Sequence, residues 1–143
     1  MIQPVILAPV PCEQLESAMT VPSLGERIAF GSSHRDSTSL PVGLPVFIYA
    51  SEAPHGLFRL GQVSWTGTLG AIVPAVKGGS RDGKHPDPAV RPPSAEANDK
   101  TFTCFWEVLG LRALSPTRQL RDFKSPVLDG EAPRWPTVAE FDL

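Results

Sequence analysis

The sequence predicts an α+β, mainly β fold: a small mixed barrel with two or three short peripheral helices. The chain contains 12 glycines and 16 prolines among 143 residues, an excess that favours many turns over long helices. Short apolar segments rich in β-branched and aromatic residues outnumber the helical patterns. The longest of them, residues 101–111, carries apolar side chains on both faces, as a strand in the middle of a small barrel does.

Composition narrows the class of protein. A length of 143 residues suits a single domain, 1–143, with its core in about 43–125. The chain has no apolar run long enough to cross a bilayer, and its formal net charge of −2 disfavours phosphate-driven binding of nucleic acid. Cys12 and Cys104 lie far apart, and the first residues do not resemble a signal peptide. We therefore expect reduced thiols, a cytoplasmic location and no membrane partner.

The N-terminal part of the chain predicts one strand and one helix. Residues 1–11 form an extended segment with an apolar centre, Val5-Ile6-Leu7. A short helix follows over 12–19, where Leu15 and Ala18 share a face, and a proline ends it at position 22. The polar stretch 31–45 is typical of a loop.

Three strands are predicted in the middle of the sequence, at 46–50, 57–65 and 69–76. Residues 66–68 suit a tight connection between the last two. Pro74 lacks a backbone N–H to share with a neighbouring strand, which suggests an edge position for the third.

Residues 77–100 form a long insertion rich in glycine and proline. Loops of this length are uncommon in compact domains, so we expect a flexible, functional loop that is more mobile than the barrel. After the strong strand at 101–111, Ser115 and Pro116 suit the N-cap and first position of a short helix, from which Leu120 and Phe123 would face the core. The proline-rich tail from residue 125 is expected to pack across the body through four apolar side chains: Val127, Leu128, Trp135 and Phe141.

Four segments resemble the EVE and ASCH domains of the PUA-like superfamily. Residues 43–51 (GLPVFIYAS) are similar to a "GD-x-V-x-F-Y-x-S" strand, and 56–63 (GLFRLGQV) to the "G-x-x-G-x-G-x-V" strand that follows it. A long aromatic strand at 101–111 and a short "L-x-D-h-K" helix at 120–124 (LRDFK) complete the order. The resemblance implies a PUA-like pseudo-barrel that recognises RNA or modified DNA, with a base held in an aromatic-lined pocket.

The ligand-binding residues that we predict are Tyr49, Ser51, Trp65, Trp106 and Arg59. The resemblance implies Tyr49 and Ser51, whereas the two tryptophans are chosen because a splayed base needs a flat ring to stack on. The alternative interpretation is that both tryptophans belong to the core.

Basic side chains in the insertion suggest contacts with phosphate. The predicted phosphate-contacting residues are Lys77, Arg81, Lys84 and Arg91, on a loop that would lie over the barrel mouth. A solvated surface loop is the alternative.

Neither a metal site nor a catalytic centre is predicted, and no cofactor is expected. The three histidines, His34, His55 and His85, fall in separate loop-like regions without ligand spacing. His34-Arg35-Asp36 has the residue types to orient a general base, but no serine elbow accompanies it. Glu107, within the strongest strand, is expected to form a structural ion pair with Arg59 or Arg112.

These observations predict non-catalytic recognition of a nucleobase or modified base. The partner would be single-stranded or modified RNA or DNA, or a nucleotide-like small molecule. One alternative is a small enzyme that acts on a nucleotide-like substrate through His34, His85 or Glu107. Another is a protein-interaction module that uses the loop and the tail. The sequence leaves the ligand's identity and the oligomeric state open.

Overall fold

The fold is built on one six-stranded mixed sheet. The computed structural model describes residues 1–51, 62–97, 101–124 and 134–142. The strands, in chain order, are β1 (Ile2–Val10), β2 (Arg27–Ser32), β3 (Pro45–Ala50), β4 (Gln62–Pro74), β5 (Cys104–Gln119) and β6 (Thr137–Asp142). In space they follow the order β2-β5-β4-β3-β1-β6. Only β1 and β3 pair in parallel among these strands, so the sheet is mixed, as predicted.

The mainly β class is confirmed, whereas the sheet does not close. Among the described strands, β2 and β6 each have one neighbour and form the two edges of an open sheet. The helices are short: α1 (Cys12–Ala18), α2 (Pro93–Glu96) and three 3-10 turns at Arg35–Ser39, Pro88–Val90 and Leu120–Asp122. Within the described ranges, no helix is long and apolar enough to cross a membrane.

Each face of the sheet carries a buried apolar cluster, and side chains of alternate residues contribute to opposite faces. One face packs against α1 and contains Ile6, Ile48 and Trp106 in a single apolar cluster. The other face holds a second cluster, in which the Phe123 and Phe141 rings stack with their centroids 4.4 Å apart. Strand β1 supplies both clusters, since Val5 and Leu7 point one way and Ile6 the other, as its apolar run predicts.

Two strands were not predicted. Strand β2 begins within a segment that carries no clear strand pattern and ends inside the polar stretch assigned to a loop, yet it pairs along its whole length with β5. Strand β6 lies in the tail and pairs antiparallel with β1. Both gain their backbone partners from strands distant in sequence, which local patterns do not reveal.

The two strands predicted at 57–65 and 69–76 are one strand over the described residues. Strand β4 runs unbroken through 66–68, where a tight connection was expected, and its register shifts there are bulges. Gly67 is buried within it, and the Thr66 hydroxyl donates to the carbonyl of Val46. Strand β4 lies between β5 and β3, but its pairing with β3 ends at Thr68, and among the described strands its last residues, Ala71 to Pro74, pair with β5 alone. The end of β4 that carries Pro74 is therefore at an edge, as predicted. Residues 57–61 lie outside the described part of the chain.

Strand β5 is longer than predicted. Its first five residues, Cys104 to Val108, are buried on both faces as expected, and the strand then continues to Gln119 beside β4. The helix predicted from Ser115 and Pro116 was therefore wrong, because pairing with β4 overrides the local capping signal. Only a 3-10 turn follows, after which Phe123 is buried as predicted.

The insertion contacts the body through its described residues, 77–97. Val90 joins Ala29 and Phe105 in a third apolar cluster over the β2–β5 part of the sheet. The backbone N–H of Ser94, in α2, donates to the Ser17 hydroxyl of α1 at 2.9 Å. The greater mobility expected for this segment stays a prediction.

Candidate functional site

The candidate site is formed where the end of β2 lies near the start of β6. The Ser32 hydroxyl, at the end of β2, lies 2.7 Å from the buried hydroxyl of Ser37, and this pair holds the 35–39 turn against the strand. Trp135 precedes β6, whose pairing with β1 fixes the position of the chain there. Although β2 and β6 are the two edge strands of the sheet, the segment after β2 and the segment before β6 are in contact, about a hundred residues apart in sequence.

His34 and Trp135 stack on each other across these two segments. Their ring centroids are 3.8 Å apart and the rings are within 6° of parallel. The Nδ1 atom of His34 accepts the backbone N–H of Asp36 at 3.2 Å, so the same ring also caps the 35–39 turn. His34 therefore fixes the position of the indole relative to the turn.

Beside this stack lies a cleft of about 230 Å³, which we call the Trp135 cleft. Trp135 lines it, whereas His34 does not, so one face of the indole is covered by the imidazole and another part of it borders the cleft. Its polar lining side chains are Asp36, Ser39 and Thr137. The remaining lining residues are apolar: Leu40, Pro41, Pro136 and Val138.

The Asp36 carboxylate is the one acidic group in this lining. Its side chain is 70% exposed, its nearest cation is Arg35, with Nε at 3.8 Å, and the His34 Nδ1 atom lies at 3.9 Å, both beyond hydrogen-bonding distance. Over the described residues, no hydrogen bond engages its carboxylate oxygens. Both oxygens are therefore available to donors on a ligand.

The base pocket predicted from the sequence is not assembled. Tyr49 is buried in the cluster on one face of the sheet, and burial raises the pKa of its phenol. Trp65 packs against the cluster on the opposite face, because it lies opposite Ile48 in the register of β3 and β4. The two rings cannot face one ligand. The alternation of side chains along paired strands is the reason.

The other predicted pocket residues do not restore it. Trp106 is 1% exposed and belongs to the core, as the alternative interpretation held. Ser51 is exposed just after β3, and its backbone N–H donates to the carbonyl of Val10. Arg59 lies outside the described residues.

Three of the four predicted phosphate contacts are engaged within the protein. Arg81 donates to the Glu96 carboxylate at 2.7 Å and to the carbonyl of His85, while Lys84 Nζ lies 3.4 Å from the carbonyl of Glu96. Arg91 is only 3% exposed, so it cannot contact a phosphate as predicted. Lys77 is the exposed member of the set.

Arg91 instead serves as an anchor of the insertion. Its Nη1 donates to the carbonyl of Ala29 at 2.8 Å, and its guanidinium lies 4.8 Å from the centroid of the Phe105 ring. Burial lowers the pKa of Arg91 to about 10, although Glu96, whose carboxylate lies 3.5 Å from Arg91 Nε, acts in the opposite direction.

A second anchor is the buried carboxylate of Glu107. Arg27 donates to both of its oxygens, at 2.9 and 2.7 Å, and His85 Nε2 lies 2.8 Å from one of them. The backbone N–H of Asp87 donates to His85 Nδ1 at 2.9 Å, which leaves Nε2 to donate to Glu107. The structural ion pair expected of Glu107 is present, but its partner is Arg27 rather than Arg59 or Arg112.

The His85–Glu107 contact resembles an acid–base pair but has no access to a substrate. His85 is 1% exposed, and both of its ring nitrogens already have partners. Burial alone would raise the pKa of Glu107, but the hydrogen bonds from Arg27 and His85 outweigh it and lower that pKa. This cluster therefore holds the insertion on the sheet.

A larger cleft, of about 520 Å³, lies between residues 20–22 and 88–97. Its charged lining residues are Arg91 and Glu96, which pair with each other. No charged group in this lining is left over for a ligand, which distinguishes it from the Trp135 cleft.

The sequence did not predict that His34 and Trp135 stack beside the Trp135 cleft. His34 and Asp36 were noticed as a possible acid–base pair, and Trp135 as an anchor of the tail, but nothing in the sequence joins them. In the described part of the chain, no group of histidine, cysteine, aspartate and glutamate side chains is arranged to hold a metal ion. Comparison with protein-family models, with curated proteins and with solved structures found no match to this chain.

Proposed function

We propose that this protein is a non-catalytic binding protein that holds one planar base in the Trp135 cleft. The ligand is a nucleotide-like molecule or an unpaired base of single-stranded or modified nucleic acid. The observation that carries the proposal is an indole fixed by a stacked imidazole at the wall of a small cleft, next to an exposed carboxylate whose oxygens accept no hydrogen bond from the described residues. The proposal keeps the ligand class that the sequence predicted and moves the site to other residues.

The size of the cleft supports a single base as the ligand. Its volume of about 230 Å³ is below the range of about 300–1,000 Å³ that is typical of sites for drug-sized ligands. Aromatic stacking contributes about 1–3 kcal/mol per base, and the prior stacking of His34 on Trp135 means that little side-chain freedom is left to lose on binding.

The charge distribution supports an unpaired base over a duplex. The chain has a net charge of −2, and most of the basic residues once assigned to phosphate are tied to Glu96 or buried. A duplex binder neutralises many phosphates and needs a basic surface. Binding through one base requires neither.

The membership of the PUA-like superfamily and the cytoplasmic location remain part of this proposal. The order of a strand at Pro45–Ala50, a following strand, the long β5 and a 3-10 turn at Leu120–Asp122 supports the former. The enzyme alternative is weakened by the engagement of His85 and Glu107 inside the protein. A protein-interaction module would show no affinity for bases.

The test compares two tryptophans by isothermal titration calorimetry. The ligands are the four common nucleoside monophosphates and a short single-stranded oligonucleotide, at low salt. Trp135→Leu should weaken binding by roughly tenfold or more, which corresponds to the stacking contribution. Trp65→Leu, the matched change at the tryptophan on the helix-covered face, should leave affinity unchanged.

Two further measurements complete this test. Circular dichroism and thermal melts check that both variants are folded, and Trp135→Phe should retain part of the affinity because it keeps an aromatic ring. If the folded wild-type protein binds none of these ligands, the proposal is wrong. Equal losses in the two leucine variants would place the ligand elsewhere.

A further inference from the structure

The Trp135 cleft contains a group that can choose between bases. Stacking is tolerant of sequence because every base has a π face, so discrimination must come from hydrogen bonds at the edge of the ring. Asp36 is the lining residue that accepts hydrogen bonds but donates none when ionised, and its two oxygens lie side by side. Its pairing preference therefore determines which base fits.

We propose that the cleft selects guanine, or a base that presents the same two adjacent N–H donors. This inference rests on the proposed function. The Watson–Crick edge of guanine offers N1–H and the N2 amino group in parallel, the arrangement that a carboxylate accepts in a bidentate manner. Adenine and cytosine each place a ring acceptor next to their amino group, and uracil offers a single N–H between two carbonyls. Each of these three would direct an oxygen or nitrogen lone pair at the carboxylate.

The neighbours of Asp36 are compatible with this role. The Ser39 hydroxyl donates to the backbone carbonyl of Asp36 at 3.1 Å, so it fixes the turn without occupying the carboxylate. The stacked His34 caps the backbone N–H of the same residue, so the orientation of Asp36 is coupled to that of Trp135. Thr137, on β6, places a hydroxyl in the same lining, and a hydroxyl can donate to the guanine O6 oxygen.

The ring and the carboxylate come from different parts of the chain. Trp135 lies before β6, whereas Asp36 lies in the turn after β2, and both line one cleft. The imidazole of His34 links them by stacking on the first and capping the second. The edge of a base stacked against Trp135 would thus form hydrogen bonds with Asp36, and the backbone of Asp36 is held by the same His34 imidazole that stacks on Trp135.

The experiment measures the affinities of GMP, IMP, AMP, CMP and UMP for the full-length chain by calorimetry. IMP differs from GMP only in lacking the N2 amino group. We expect GMP to bind more tightly than AMP, CMP or UMP by roughly ten- to a hundredfold, the discrimination typical of a bidentate pair. IMP should lie between, because it keeps N1–H alone.

Asp36→Asn tests the carboxylate itself. An amide presents one acceptor and one donor, which complements adenine better than guanine, so the variant should lose its guanine preference and gain on AMP. The side chain is largely exposed, so the change should not prevent folding. Glu13→Gln, which removes one exposed negative charge on α1, is the matched control and should leave the ranking of the five nucleotides unchanged.

The outcomes separate this inference from the proposed function. Binding without base preference, or an unchanged ranking in Asp36→Asn, overturns the guanine inference and leaves base binding standing. Failure of every nucleotide and oligonucleotide to bind overturns both. A guanine-containing single-stranded oligonucleotide compared with GMP shows whether the base is taken from nucleic acid or as a free nucleotide, and a guanine preference in either supports the inference.

Discussion

Replacing Glu107 by glutamine tests how the insertion is held on the sheet. The carboxylate is 5% exposed and takes three hydrogen bonds, two from Arg27 and one from His85. Glutamine keeps the shape but has one acceptor oxygen, and it turns an amino group towards a donor. The variant therefore loses charge-assisted bonds without opening a cavity.

The expected cost is about 3 kcal/mol. A hydrogen bond to a charged group contributes about 1.5–3 kcal/mol net, and breaking a buried ion pair costs about 3–5 kcal/mol. The lower end applies because the Arg27 side chain is 41% exposed and regains water when its partner is lost. His85 is buried and cannot form a hydrogen bond to water instead, so most of the lost stability comes from its weakened Nε2–H bond to residue 107.

The assay is urea denaturation at pH 7 and again at pH 3. At neutral pH, the free energy of unfolding should fall by about 3 kcal/mol and the melting temperature by about 10 °C. Folding lowers the pKa of Glu107 from its ordinary value of 4.5, so the ionised carboxylate stabilises the fold above that pH. This contribution is lost as the pH falls further, through the lowered pKa of the folded state. The difference between wild type and variant should therefore shrink at pH 3.

Glu26→Gln, at an exposed carboxylate beside Arg27, is the control and should change stability by less than about 0.5 kcal/mol. A cost below about 1 kcal/mol for Glu107→Gln, or a cost that does not vary with pH, would refute the argument that this carboxylate anchors the insertion. Affinity for ligands of the Trp135 cleft should be unchanged in the folded variant, since Glu107 does not line that cleft.

Two further predictions concern packing and accessibility. Gly67→Ala should lower the free energy of unfolding, measured by chemical denaturation, by about 1–3 kcal/mol, because the added Cβ would lie 2.9 Å from the backbone oxygen of Leu109. Gly25→Ala is the control and should cost little, because a Cβ there meets no atom within 4 Å. Equal costs would contradict this reading of β4. The glycine- and proline-rich composition of the insertion predicts early tryptic cleavage at Arg81. The structure predicts the opposite: the bond from Arg81 to Glu96 should make this cleavage slow, and Glu96→Gln should accelerate it. Rapid cleavage of the wild-type protein at this bond, detected by mass spectrometry, would favour a free loop.

The sequence itself determined the class of fold and several elements. Strand β1, helix α1 and strand β3 follow from local apolar patterns and from prolines that end segments, and these signals act within a few residues. The buried start of β5, Cys104 to Val108, follows for the same reason, since apolar side chains on both faces predict burial on both faces. The small number of cysteines and their wide separation in sequence also predicted that Cys12 and Cys104 form no disulfide, which the structure confirms.

The tertiary structure alone decided where these elements meet. Tyr49 and Trp65 point to opposite faces because of the alternation of side chains along each strand and the register between β3 and β4. That register cannot be read from the sequence of either strand alone. The helix predicted at Ser115 does not form, because pairing with β4 stabilises that segment more than a helix cap at Ser115 would. Such long-range pairings outweigh local propensity.

The candidate site could not be predicted from the sequence either, because it depends on contacts between segments that are distant along the chain. His34 and Trp135 lie far apart along the chain, one just after β2 and the other just before β6, and their rings meet only in the folded protein. The sequence could supply the chemistry of a base pocket, an aromatic ring with polar groups beside it. Contacts between distant segments determine which ring lies next to which polar group. These contacts, and not local propensity, fix the positions of the loops at the ends of the strands.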